Sequence, residues 1–165
     1  MKKTFLVFMM VLIAVSIFAA GQQQAAKGDE FILVNGAEPE SLDPHLISGV
    51  PEHRLYEAIF EGLLAYDPKT AEGIPGLAES WTTNADRTVY TFKLRKTTWS
   101  DGVPITAETV VKSWLRMLNP ETAAPYAWFP AMFIKGAAEY NGGEAGPEAV
   151  KIRAVDDYTF EMELV

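Results

Sequence analysis

The 165-residue chain has no cysteine, only two histidines, and fewer bases than acids: 14 Lys+Arg against 22 Asp+Glu. Each shortage removes a class of chemistry. Without thiols these residues build no disulfide scaffold, thiolate zinc site, iron–sulfur cluster, cysteine nucleophile or lipid-modified cysteine. A net charge of −8 with no basic patch leaves nothing to neutralise a phosphate backbone, so nucleic acid is not an expected partner. His45 and His53 stand on either side of Pro51 with no acidic spacing of a zinc signature nearby, and no metal is expected. No Gly-rich phosphate loop occurs, and Gly142-Gly143 reads as a flexible turn. Ser41, Ser48, Ser80, Ser100 and Ser113 lack the strand–turn–helix setting of a nucleophile elbow, and acidic residues at this density read as solvated surface. Neither a catalytic constellation nor a cofactor is expected.

What is present begins with a leader. Lys2 and Lys3 precede an apolar run from Phe5 to Val15 that resumes after Ser16 and ends at Ala19-Ala20-Gly21. A basic start, an apolar middle too short to span a bilayer and a small-residue end make residues 1–21 a secretory signal peptide. Residues 22–30 form a polar linker. Phe31 to Val34 is expected to be a buried strand closed by Asn35-Gly36. Pro51 suits the first turn of a helix carrying Leu55, Ile59 and Leu63 on one face and stopping near Gly62. Leu64-Ala65-Tyr66 runs into an Asp67-Pro68 turn, and Gly73, Pro75 and Gly76 mark an irregular stretch.

Thr88 to Arg95 alternates Tyr90, Phe92 and Leu94 against Thr91, Lys93 and Arg95, the pattern of a half-buried antiparallel strand. Thr106 is a candidate N-cap for a helix that repeats Val110, Val111, Trp114, Leu115 and Leu118 at helical spacing until Asn119-Pro120. Ala149 to Val155 and Tyr158 to Leu164 read as two strands about an Asp156-Asp157 turn. The fold class is therefore mixed α/β with antiparallel pairing. Val165 falls inside a strand pattern, so the chain is read as the N-terminal piece of a longer protein. Aromatic residues are plentiful, and Tyr126 and Trp128 follow a helix in a loop that packing alone does not demand. A tyrosine there suits a ligand cleft, since its ring offers apolar area and its hydroxyl a hydrogen bond.

Seven blocks then come in a familiar order: Glu38-Pro39-Glu40-Ser41-Leu42-Asp43-Pro44-His45, Phe60-Glu61-Gly62-Leu63-Leu64, Gly76-Leu77-Ala78-Glu79-Ser80-Trp81, Tyr90-Thr91-Phe92-Lys93-Leu94-Arg95, Trp99-Ser100-Asp101-Gly102, Pro104-Ile105-Thr106-Ala107 and Ser113-Trp114-Leu115-Arg116. With Val150 to Glu163 they resemble the bacterial family 5 extracellular solute-binding proteins over residues 31–165, and most of all the members that bind oligopeptides in the periplasm. The resemblance implies a three-lobed type II periplasmic-binding fold, with residues 31–60 beginning the first lobe and 61–165 forming a truncated second. It implies a monomeric, non-enzymatic protein, free in the periplasm, that captures oligopeptides for an inner-membrane ABC permease. Relatives of the same fold take dipeptides, nickel complexes, haem or oligosaccharides, and a secreted hydrolase is a further alternative. By the same likeness Ser48, Gly49 and Val50 match the loop that pairs with peptide backbone, and Tyr126 a tyrosine facing the ligand. Relatives often carry an acidic residue where Ser48 stands, and an Asp-Gly turn where Asp86-Arg87 stands.

Overall fold

The computed structural model describes residues 32–165. The leader, the linker and Phe31 lie outside the described residues. Ile32, Leu33 and Val34 form no regular element, which corrects the expected first strand. A strand needs a partner for its backbone ladder, and none of the described residues pairs with these three.

From Asn35 onward the elements follow one another closely. Helix α1 spans Val50–Ile59, and a small hairpin pairs β1 (Leu64–Tyr66) with β2 (Gly73–Pro75). The centre is an antiparallel sheet of β3 (Ala78–Thr83), β4 (Val89–Leu94), β8 (Thr159–Glu163) and β7 (Ile152–Asp156), in the order β3-β4-β8-β7. Between β4 and β7 the chain makes a two-residue hairpin of β5 (Thr97–Thr98) and β6 (Pro104–Ile105). It then forms α2 (Ala107–Leu118) and two short helices, α3 (Trp128–Ala131) and α4 (Ala137–Asn141).

The sheet and α2 share one core. Phe92 and Phe160 face each other across the β4–β8 ladder with ring centroids 6.0 Å apart, and Leu94, Val110, Val111, Leu118, Ile134 and Ile152 close around them. The start of α2 is tied to the β7–β8 turn by the Ala107 amide, which donates to the Asp157 carbonyl at 2.8 Å. Thr106 caps the helix as expected, its amide donating to Thr109 Oγ1 at 3.2 Å. At the far end Asn141 Nδ2 donates to the Leu118 carbonyl at 2.9 Å, satisfying one of the acceptors a helix C-terminus leaves open.

Two expectations change. Helix α1 stops at Ile59 rather than near Gly62, because Phe60 is already extended and the carbonyls of Gly62 and Leu63 accept from the Leu77 and Ala78 amides, both at 2.9 Å. Leu63 therefore packs on the sheet core, while Ile59 is exposed. The stretch around Gly73 and Pro75 is a strand, and Ala78–Thr83 is a second strand that the pattern does not announce. A bulge between Ala78 and Ser80 turns Glu79 and Ser80 outward together and breaks the period of two.

Candidate functional site

The segment before α1 contributes almost no apolar surface to the core; polar groups place it. Asp43 begins the placement, its Oδ1 accepting from the His45 amide at 3.0 Å and its carbonyl from the Leu46 amide at 2.9 Å. These bonds close a tight Asx turn around Pro44. The turn is then fastened to α2: Arg116 donates through Nη1 and Nη2 to the Asp43 carboxylate, at 2.8 and 2.5 Å. This forked pair of charge-assisted bonds fixes orientation as well as distance. It holds the Asp43 carboxyl down from the ordinary 3.8 to about 2, the Arg116 contact being the main cause and the His45 amide the next.

Arg116 also donates to His45 Nδ1, which makes that nitrogen an acceptor and leaves the ring proton on Nε2. Nε2 in turn lies 3.1 Å from Ser113 Oγ. Burial, reinforced by the Arg116 charge, pushes the His45 pKa down, so the ring is neutral at pH 7 and fits this donor–acceptor pattern. His53, the other histidine, is exposed on α1 beside Glu57. Among the described residues no three His, Asp or Glu side chains gather as a metal would need.

So fastened, the chain runs on to Ser48, Gly49 and Val50 at the start of α1, and there it meets Tyr126. The Tyr126 hydroxyl donates to the Ser48 carbonyl at 3.3 Å, across 78 residues of sequence. Ile47, Ser48, Gly49, Val50, His53 and Tyr126 line a cavity of about 280 Å³. All four residues that the sequence singles out thus sit in one cleft. Val50 is the first residue of α1, so its amide has no partner within the helix, and none of the described residues accepts from it. The cleft presents an apolar wall of Ile47, Val50 and the Tyr126 ring with an unpaired backbone donor beside it. Trp128 stacks obliquely on Tyr126, with ring centroids 6.4 Å apart, and opens α3.

A larger cleft of about 500 Å³ lies where β4 meets the β7–β8 turn, and three of the polar side chains lining it, Lys93, Asp156 and Thr159, are engaged with one another. Lys93 Nζ donates to Thr159 Oγ1 at 2.8 Å, Thr159 Oγ1 to Asp156 Oδ2 at 2.7 Å, and the Tyr158 amide to Asp156 Oδ1 at 2.9 Å. These bonds close the hairpin, and the Thr159 hydroxyl is the main reason the Asp156 carboxyl lies below its ordinary range.

The residues that sequence reasoning missed are Asp43, His45, Ser113 and Arg116. They lie within two of the quoted blocks, 73 residues apart at Asp43 and Arg116, and nothing in either block alone says that the two meet.

Comparison with known proteins bears on the family of the chain. The chain is 46% identical over 132 residues to the periplasmic oligopeptide-binding protein OppA of Escherichia coli, covering 79% of this chain and 24% of that protein. It is similar to the crystal structure of a periplasmic oligopeptide-binding protein (OppAIV) from Borrelia burgdorferi, with a TM-score of 0.74, 42% identity and coverage of 78% of this chain and 26% of that one. It is also similar to Haemophilus influenzae OppA in complex with the peptide RPPGFSPFR, with a TM-score of 0.73, 40% identity and coverage of 78% and 25%. The chain spans about a quarter of the length of these relatives, and the sheet with its helices is part of their type II periplasmic-binding fold. Residues 72–165, more than half of the chain, match the family description itself, and the chain belongs to the bacterial extracellular solute-binding proteins, family 5.

Proposed function

We propose that this chain is part of the substrate-binding component of a peptide importer, capturing oligopeptides outside the inner membrane and delivering them to an ABC permease. The observation that carries the reading is the meeting of the Ser48–Gly49–Val50 loop with Tyr126 in one cleft. A peptide held as an added strand is recognised mainly through its backbone, so the protein must offer unpaired amides and carbonyls next to an apolar wall. The Val50 amide is such a donor, and the Tyr126 ring supplies rigid contact area at low conformational cost. Ser48 carries no charge, so the contact proposed here is to the main chain of the ligand and independent of its side chains. The relatives are solute-binding proteins and not enzymes, and this chain is proposed to act without turnover. Residues 31–60 are proposed to begin one lobe and 61–165 to form much of a second, with the protein monomeric and periplasmic after removal of residues 1–21.

Calorimetric titration of the protein as its source produces it, with tri-alanine and tetra-alanine, tests this reading. Binding of one peptide per protein is expected, and Tyr126→Ala is expected to weaken it by about 1–2 kcal/mol, the usual loss for a contact aromatic. An unchanged dissociation constant in that variant would remove Tyr126 from the site.

A further inference from the structure

Among the described residues the buried polar side chains are Thr159 and Glu52, and only Glu52 is ionisable, with 5% of its surface exposed. Burying a carboxylate costs several kcal/mol unless its oxygens find donors, and nothing in the packing of α1 calls for a charge there. Its contacts lead to the candidate cleft. Oε1 accepts from the Glu40 amide at 2.8 Å, twelve residues back along the chain. Oε2 accepts no hydrogen bond and lies against the Cα of Gly49, where a Cβ on residue 49 would overlap it. Glu52 also stands in the first turn of α1, where the helix dipole favours an anion. The Glu40 amide foremost, and the amides of Glu52 and Gly49 after it, keep the carboxyl ionised below its ordinary range.

This arrangement also gives residue 49 its own reason to be glycine. Its φ is −106°, open to any residue, so the requirement is space and not backbone freedom. The carboxylate of Glu52 occupies the place of the missing side chain.

We propose that Glu52 is the positioning residue of the cleft: by clamping the Glu40 amide and bracing Gly49, its buried carboxylate sets the path of Ser48, Gly49 and Val50. The assignment rests on the peptide-binding reading only for its consequence, since the clamp itself is visible without ligand. Two readouts on the protein as its source produces it, with Glu52→Ala and Glu52→Gln, separate the two. Amide hydrogen exchange should quicken about tenfold or more in Glu52→Ala at Glu40 and at His53, whose amide donates to the Gly49 carbonyl at 3.0 Å, and stay unchanged at Phe92 and Phe160. Glu52→Gln, which keeps an acceptor for the Glu40 amide, should recover most of the protection. The tri-alanine dissociation constant should rise about tenfold in Glu52→Ala and about threefold or less in Glu52→Gln. Exchange unchanged at Glu40 and His53, or quickened equally across the sheet, overturns the proposal. So does a loosened loop that binds tri-alanine as well as the parent. A loosened loop in a protein whose parent form binds no tri-alanine upholds the clamp and overturns the peptide reading instead.

Discussion

The sheet with α2 and the segment from Glu38 to Ile59 are held in place by opposite means. In the first, Phe160 and Leu118 have no exposed surface and Phe92 and Leu94 nearly none. In the second, Val50 and Ile59 are each 63% exposed and the single buried side chain is the ionised Glu52. Apolar burial is strong and non-directional, so it fixes that a sheet forms and which face packs. Directional bonds fix where a loop goes: Arg116 to Asp43, His45 to Ser113, Glu52 to the Glu40 amide, Tyr126 to the Ser48 carbonyl. The second kind leaves backbone donors and apolar side chains uncovered, and the candidate cleft is built from these.

The contrast is broken most severely in the core. Phe160→Ala removes a fully buried ring and should cost about 3–5 kcal/mol, seen as a large drop in Tm that no peptide restores in full. If Phe160→Ala left Tm within a degree or two, the sheet would not be the main source of stability.

Asp43→Ala should act the other way round. It undoes the forked pair with Arg116, and its effect on Tm should be only about 2–4 °C, since both partners are partly exposed. Peptide binding should weaken about fivefold or more, because the turn that leads to Ser48 loses its anchor on α2. A variant with a much lower Tm and unchanged affinity would mean that the clamp serves the core and not the cleft.

Acid sharpens the same point. The folded-state pKa of Asp43 lies below its ordinary 3.8, at about 2, so the carboxylate stabilises the fold fully above about pH 4. That contribution is lost as the pH falls from about 4 to about 2, and allowing for solvent screening it amounts to about 1 kcal/mol. Chemical denaturation across this range, repeated with Asp43→Asn, should show a limb in the parent that the variant lacks.

The smallest effect belongs to the β3–β4 hairpin. Arg87 sits at φ 59°, in the left-handed region that favours glycine, and Asn84 holds the turn by accepting from the Thr88 and Val89 amides at 2.9 and 3.0 Å. Arg87→Gly should raise stability by about 0.5 kcal/mol or less, the relief of strain being partly offset by the entropy glycine loses on folding. Peptide affinity should not change.

The two regions also differ in how well they can be read from sequence. The alternation of Tyr90, Phe92 and Leu94, the pair of strands about Asp156-Asp157 and the helical repeat from Val110 to Leu118 are legible because burial writes a period into a chain. Ala78–Thr83 is not, since its bulge erases the period, and the end of α1 is not, since distant amides of Leu77 and Ala78 decide it. The cleft is legible only by likeness. Ser48, Gly49, Val50 and Tyr126 match motifs, but Asp43 with Arg116, and Glu40 with Glu52, are pairings that no local pattern encodes.

The central claim, that this cleft serves to hold peptides by their main chain, is met most directly by a native mass spectrum of the protein purified gently from its source. The account predicts a ladder of heterogeneous adducts of peptide mass that vanishes on denaturation and is diminished in Tyr126→Ala. A single discrete adduct, or a bare protein that gains no mass when incubated with tri-alanine, would contradict it.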